Sequence, residues 1–115
     1  MTPENKQQLI SAIKNAEKAA IAADPGQDAD GGTCNFDTPA IRISHIREST
    51  MQGIAEDSGI KLISFHWFGN QKWYWVRTST MGQGNRRTTM MQSALKILKD
   101  ESPEDVQVMG YYQMD

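Results

Sequence analysis

Residues 81–89 combine residue types that could bind an anionic ligand. They read Met-Gly-Gln-Gly-Asn-Arg-Arg-Thr-Thr, and they are predicted to leave a strand and open a helix. Their glycines permit close approach of the backbone to a ligand, and free N–H groups at a helix start attract anions. Arg86 and Arg87 in a first turn oppose the helix dipole, a penalty that a bound anion would reverse. Asn85 either caps this helix or contacts the ligand, and the segment is neither a Walker A loop nor a GxGxxG motif.

A predicted β-hairpin, residues 60–68 and 72–79, supplies a second candidate surface, with Gly69-Asn70 as its two-residue turn. That turn places four polar or aromatic side chains on one face: His66, Trp73, Trp75 and Arg77. The opposite face, predicted to floor the core, carries Ile63, Phe65, Tyr74 and Val76. A ring beside a guanidinium suits a nucleobase and its phosphate, with stacking worth about 1–3 kcal/mol per base. Alternatively, the tryptophans pack beneath a helix or a partner subunit.

Charge and composition restrict the class of protein. Twelve Lys and Arg against 14 Asp and Glu give a net charge of −2, too acidic for a protein that coats nucleic acid. Residues 41–99 nevertheless hold nine Lys and Arg against three acids, which indicates a localised anion site. No apolar run is long enough for a membrane span, and the first residues lack the pattern of a secretory signal. The single cysteine, Cys34, cannot form an internal disulfide and favours a reducing cytosol.

No catalytic constellation is visible. Cys34, His45 and His66 lack the spacing of a zinc site, and no local motif supports Cys34 as a nucleophile with either histidine. Residues 28–31 resemble the start of a calcium loop without its distal Glu. We therefore predict a binding protein without cofactor or metal. The alternatives are a phosphodiesterase that degrades a cyclic nucleotide signal, or a small single-stranded nucleic-acid binder.

The elements that must position these residues form one predicted domain, residues 1–115. A first helix starts with Thr2 as cap and Pro3, and a turn-rich, flexible loop follows at residues 24–33. Next come a strand at 34–43, which Pro39 marks as an edge strand or a bent entry, and a helix at 44–58 that Gly59 ends. After the hairpin, a third helix spans 86–100 and a last strand 105–113. The order αβαββαβ predicts an α+β fold with a mostly antiparallel sheet of about four strands.

Three short segments point to a family. They are residues 31–37 (GGTCNFD), 82–88 (GQGNRRT) and 111–115 (YYQMD). Together they resemble the first family of Thoeris anti-defence proteins of phages, and the resemblance spans nearly the whole chain. Members of that family bind, without degrading, the cyclic ADP-ribose isomer that a TIR-domain enzyme makes as an immune signal.

The resemblance implies a sponge for glycocyclic ADP-ribose in the cytoplasm of an infected bacterial host. It implies homodimers that carry the pockets and can assemble into hexamers. Some members also bind the cyclic trinucleotides of CBASS immunity at separate sites. Neither a membrane nor a nucleic-acid polymer is an expected partner.

Carried over by position, Asn85 matches a pocket asparagine of the family, and Trp75 falls where the family uses a stacking aromatic. A tryptophan there departs from the family's residue type. Arginines on the diphosphate are assigned in the order Arg86, Arg87, Arg77 and Arg42. Asn35, Asp37 and Gln113 match motif positions without an assigned role. The predicted ligand-binding set is Arg42, Trp75, Arg77, Gln83, Gly84, Asn85, Arg86 and Arg87.

A sponge must bind tightly, and a Kd of about 1 nM corresponds to about −12 kcal/mol. One stacked base and two or three charge-assisted contacts supply roughly half of that. We therefore expect a second subunit to enclose the pocket.

Overall fold

A computed structural model describes residues 1–26, 36–80 and 84–112. They form α1 (Pro3–Ala22), β1 (Thr38–Ile43), α2 (Glu48–Ser58), β2 (Leu62–Trp67), β3 (Gln71–Val76), α3 (Gly84–Glu101) and β4 (Val106–Tyr111). The strands make one antiparallel sheet in the order β2-β3-β1-β4. The predicted α+β fold and the element order αβαββαβ are therefore confirmed. Of the predicted loop at 24–33, only residues 24–26 lie within the described part of the chain.

Local sequence chemistry explains the ends of α1 and α2. The Thr2 Oγ1 accepts a hydrogen bond from the Asn5 N–H at 3.1 Å, as a helix cap does. α2 ends at Gly59, whose φ of 75° lies in the left-handed region that favours glycine. This helix begins at Glu48 rather than at the predicted residue 44, because His45 has φ 58° and Arg47, the residue before the helix, is extended with φ −77° and ψ 143°.

All three helices cover one face of the sheet and bury the core there. α3 packs on β1 and β4, α2 closes the side near β2, and α1 packs against both other helices. Side chains of all three helices join those of the sheet in one core. The residues of this core that retain 1% exposure or less include Leu9, Ile13, Ala16, Ile41, Met51, Ile54, Val76, Met90, Ala94 and Leu98. None of the described helices is both long and apolar enough to cross a bilayer.

β1 is an inner strand, so of the two alternatives predicted for Pro39, an edge strand or a bent entry, the edge strand is wrong. Pro39 pairs with Gly110 of β4, and the ladder between β1 and β3 begins one residue later at Ala40. A proline cannot donate to the next strand. The Thr38 hydroxyl donates instead to the Val76 carbonyl at 3.1 Å, which also accepts from the Thr78 N–H at 2.9 Å. An inner position is tolerated because a neighbouring side chain replaces the missing donor.

The predicted register of the hairpin is wrong by one residue. Trp67 pairs with Gln71, so the connecting loop has three residues rather than two. Phe68 and Gly69 both take positive φ, 49° and 80°, as in hairpins whose loop includes a left-handed residue. The Phe68 ring stacks on Trp67 at 4.6 Å, which offsets the cost of that backbone conformation.

A shift of one residue exchanges the faces of one strand. Ile63 and Phe65 now lie opposite Trp75 and Trp73, on the face away from the helices, and do not floor the core. His66 lies opposite Lys72 on the other face and is exposed. The predicted grouping of His66 with Trp73, Trp75 and Arg77 is therefore wrong for the histidine.

Candidate functional site

The sheet face opposite the helices carries a continuous group of rings, which we call the aromatic cluster. Its members are Phe36, Phe65, Trp67, Phe68, Trp73, Trp75 and Tyr111. Phe65 of β2 lies 5.3 Å from Tyr111 of β4, although these strands are the two edges of the sheet. The sheet therefore curls around its centre, where Ala40 is fully buried opposite Trp75 and Met109 and leaves room for the rings.

The cluster uses its tryptophans differently. Trp73 is 2% exposed, and its Nε1 donates to the Gln71 Oε1 at 3.2 Å. It packs as a structural residue and has no surface for a ligand. Trp75 is partly buried: it stacks on Phe65 at 4.6 Å with an angle of 23° between the rings, and Phe36 meets it edge-on at 5.2 Å. Trp73 is thus fully packed and Trp75 partly packed, but against the other rings of this face and not beneath a helix, the alternative that the sequence left open.

Positive charge meets the aromatic cluster at Phe36. The Arg77 guanidinium carbon lies 4.8 Å from the centre of the Phe36 ring, and that of Arg87 lies 5.5 Å from it. Both distances are within the range of cation–π attraction. The structure thus brings Trp75, Arg77 and Arg87 together through Phe36. Sequence reasoning assigned Phe36 no role because its position before β1 could not be related to the start of α3.

Two buried polar groups within two residues of Arg77 in the sequence have no hydrogen-bond partner among the described residues. They are the Trp75 Nε1, a donor, and the Thr78 Oγ1, which can donate or accept. Thr78 is only 7% exposed. Leaving such a group unsatisfied costs about 1–3 kcal/mol, so groups of this kind in native proteins require an explanation. A ligand rich in acceptors would supply the missing partners.

Arg86 was predicted to bind the ligand together with Trp75 and Arg77, but its surroundings in the structure are different. Its Nε donates to the Asp24 Oδ1 at 2.8 Å and its Nη2 to the Asp24 Oδ2 at 3.0 Å. The residue is 9% exposed. The hydrogen bond from Arg86, helped by one from the Gly26 N–H, lowers the pKa of Asp24 to about 2. This carboxylate therefore compensates the Arg86 charge at the start of α3.

The start of α3 places the remaining predicted residues. Gly84 begins the helix, two residues earlier than predicted, with φ 55°. Asn85 is the second residue of α3 and is exposed. Thr88, one turn on, donates from its hydroxyl to the Asp37 carboxylate at 3.0 Å. Gln83 lies outside the described residues, as do Cys34, Asn35, Gln113 and the calcium-like turn at 28–31.

Arg42 does not join this group. It lies on β1 four residues beyond Thr38, about 13 Å along a strand. Its Nη1 donates to the Gln107 Oε1 at 2.9 Å and to the Ser44 Oγ at 3.2 Å. It lines a shallow cleft of about 120 Å³ near His45. The structure thus separates Arg42 from the arginines at Phe36.

A charged cluster near the same cleft is structural. The Glu48 Oε2 accepts from the Lys72 Nζ at 2.6 Å and from the Tyr74 hydroxyl at 2.5 Å. The Lys72 and Tyr74 donors lower the pKa of Glu48, while the Glu48 carboxylate raises the pKa of Lys72. Burial raises the pKa of Tyr74. These bonds fix the start of α2 against β3.

Among residues 1–26, 36–80 and 84–112, no three His, Cys, Asp or Glu side chains are grouped so that they could hold a metal ion. Comparison with known proteins identifies no relative: no family model matches the chain, and neither do curated proteins or solved structures.

Proposed function

We propose that this protein binds and sequesters a cyclic ADP-ribose-type nucleotide, glycocyclic ADP-ribose, without cleaving it. One observation carries the proposal. Trp75, whose buried indole N–H has no acceptor among the described residues, lies against Phe36, and Phe36 is covered by two guanidinium groups, those of Arg77 and Arg87. This combination suits a ligand that has a planar base, several acceptors and two phosphates.

The parts of such a ligand correspond to parts of the site. A diphosphate accepts charge-assisted hydrogen bonds from Arg77 and Arg87. A base or ribose oxygen accepts from the Trp75 N–H and from the Thr78 hydroxyl. Asn85, the pocket asparagine that the family resemblance implies, is exposed in the first turn of α3 and thus open to a ligand. Trp75 already stacks on Phe65, so only the part of its ring not covered by Phe65 faces the base.

Sequestration requires tight binding and no reacting group. Two arginine contacts and one partly stacked base supply about half of the 12 kcal/mol that a Kd of about 1 nM requires. A second copy of the chain supplies the remainder in the proposed homodimer. Three apolar side chains on or beside the sheet face of Trp75 remain 40–55% exposed, namely Ile63, Phe68 and Met109. They provide the apolar contact area that this association needs.

The resemblance of residues 31–37, 82–88 and 111–115 to phage anti-defence proteins gives the proposal its biological setting. In that setting the ligand is the signal of Thoeris immunity, and holding it prevents activation of the effector. The same setting places the protein in the cytoplasm of an infected bacterium.

Recovery of the ligand tests binding against cleavage. The protein is mixed with a half-equivalent of glycocyclic ADP-ribose, freed of unbound nucleotide by gel filtration, and heated to release what it holds. We expect mass spectrometry to recover the nucleotide intact. Recovery of an opened or hydrolysed product would establish the phosphodiesterase alternative, and an empty protein fraction would refute binding.

Substitution of Asn85 tests the location. Asn85→Trp adds bulk at an exposed position, so it should block the ligand without disturbing the core. Lys99→Trp, an exposed position near the other end of α3, is the matched control. Equal affinity of the two variants for the nucleotide would place the site elsewhere.

A further inference from the structure

Three consecutive residues of α3 hold both ends of the segment that joins α1 to β1. Arg86 binds Asp24, two residues after the end of α1. Arg87 lies over the Phe36 ring, and Thr88 donates to Asp37, directly before β1. The two ends of the segment 24–37 are therefore fixed on the same helix turn. Arg86 was predicted to contact the diphosphate, a role that requires its pairing with Asp24 to be weak.

That pairing is strong in its geometry. Both Asp24 oxygens accept from one guanidinium, and the Asp24 Oδ1 accepts in addition from the Gly26 N–H at 2.9 Å. The side chains of Arg86 and Asp24 are 11% and 22% exposed. Two parallel hydrogen bonds that are shielded from water fix the orientation of both side chains in addition to pairing their charges. A phosphate that recruited Arg86 would have to displace this carboxylate.

We infer that Arg86 is a positioning residue: with Asp24 it fixes the start of the 24–37 segment on α3, while its neighbour Arg87 contacts the nucleotide. The inference rests on the proposed function and reassigns one residue in it. Arg87 and Arg86 point to different partners because adjacent residues of a helix lie about 100° apart around its axis. The Asp24–Arg86 pair thus orients the helix turn that carries Arg87, and prior orientation of a contact reduces the cost of binding.

The sign of one substitution separates the two roles. If Arg86 positions the site, Asp24→Asn loosens the start of the segment and weakens nucleotide binding. If Arg86 is a phosphate ligand, Asp24→Asn removes its competitor and strengthens binding. The isosteric amide keeps the shape of the side chain, so the change in charge is isolated.

Calorimetry with glycocyclic ADP-ribose measures these effects at a temperature where every variant is folded by circular dichroism. We expect Asp24→Asn to raise the Kd about tenfold, and the charge exchange Asp24→Arg with Arg86→Asp to recover part of that loss. The control is Asp100→Asn, which breaks the exposed Lys96–Asp100 pair of the same helix, 2.8 Å long. It should leave the Kd within about twofold.

The side-chain N–H resonances of the two arginines in the unaltered protein separate a residue that contacts the ligand from one that positions the site. The Arg86 Nε–H signal should keep its position when the nucleotide is added, because Asp24 remains its acceptor, whereas the Arg87 Nε–H signal should move. Tighter binding by Asp24→Asn, or a moving Arg86 signal, overturns the inference and makes Arg86 a ligand contact. An unchanged Kd for Asp24→Asn overturns it as well. If the unaltered protein does not bind the nucleotide, the proposed function fails and the positioning role fails with it.

Discussion

Removing the charge of Arg77 or Arg87 separates nucleotide binding from folding. Methionine is the substitution of choice, because it keeps an unbranched chain of similar length that can still pack on the Phe36 ring. Each variant, Arg77→Met and Arg87→Met, loses one guanidinium from the pair that lies within 5.5 Å of that ring centre.

The two expected magnitudes differ. A cation–π contact near the surface contributes about 0.5–1 kcal/mol, and the methionine retains part of the contact, so for Arg77→Met the loss of stability stays below about 1 kcal/mol. For a chain of this size that is a decrease in Tm of at most about 8 °C. A charge-assisted hydrogen bond to a phosphate contributes about 1.5–3 kcal/mol, so the Kd should rise about 10- to 150-fold.

Calorimetric titration with glycocyclic ADP-ribose, alongside thermal melts of the ligand-free proteins, measures both quantities. Lys14→Met, which removes a positive charge from an exposed position on α1, is the control for net charge. The reasoning is refuted if the arginine variants bind within about threefold of the Lys14→Met protein, since charge at Phe36 would then have no special role.

Three further predictions concern stability. Tyr74→Phe removes a hydrogen bond to the half-exposed carboxylate of Glu48, so the free energy of unfolding measured by urea titration should fall by about 1–2 kcal/mol. An unchanged midpoint would show that Glu48 holds only Lys72. The Asp24 pKa of about 2 lies below its ordinary value of 3.8, so its stabilising effect is complete above about pH 4 and disappears as the pH falls toward 2. Asp24→Asn should therefore flatten the decline of Tm in that window, and a decline of unaltered steepness would contradict the assigned cause. Gly59→Ala forces a side chain into the left-handed region, so the free energy of unfolding in the same urea assay should fall by about 1 kcal/mol. An unchanged value would show that α2 can end in a different backbone conformation.

The fold could be predicted because local signals and the tertiary structure agree. Thr2 and Pro3 mark the start of α1, Gly59 marks the end of α2, and apolar periodicity identifies α3. The position of Pro39 could not be predicted from one residue. Its place on an inner strand depends on the Thr38 hydroxyl, which donates to the Val76 carbonyl of the neighbouring strand where the proline has no N–H to give.

The site was predicted less completely, for two physical reasons. The hairpin register depends on the backbone conformation of Phe68, and its one-residue shift moves Phe65 to the face of Trp75 and leaves His66 on the other. Pairing β2 with β3 across a three-residue loop, so that Trp67 lies opposite Gln71, would have predicted this arrangement. The second reason is long range: Asp24 lies 62 residues from Arg86, and no spacing in the sequence indicates that the two pair.

The indole N–H signals of the three tryptophans test the central claim most directly. In a ¹⁵N-labelled protein, assigned by Trp→Phe variants, the Trp73 signal is an internal reference because its N–H is already bonded to Gln71. Addition of glycocyclic ADP-ribose should shift the Trp75 signal downfield as its N–H gains an acceptor, while the Trp73 signal stays in place. A Trp75 signal that does not move while calorimetry of the same sample records binding would contradict the proposed site.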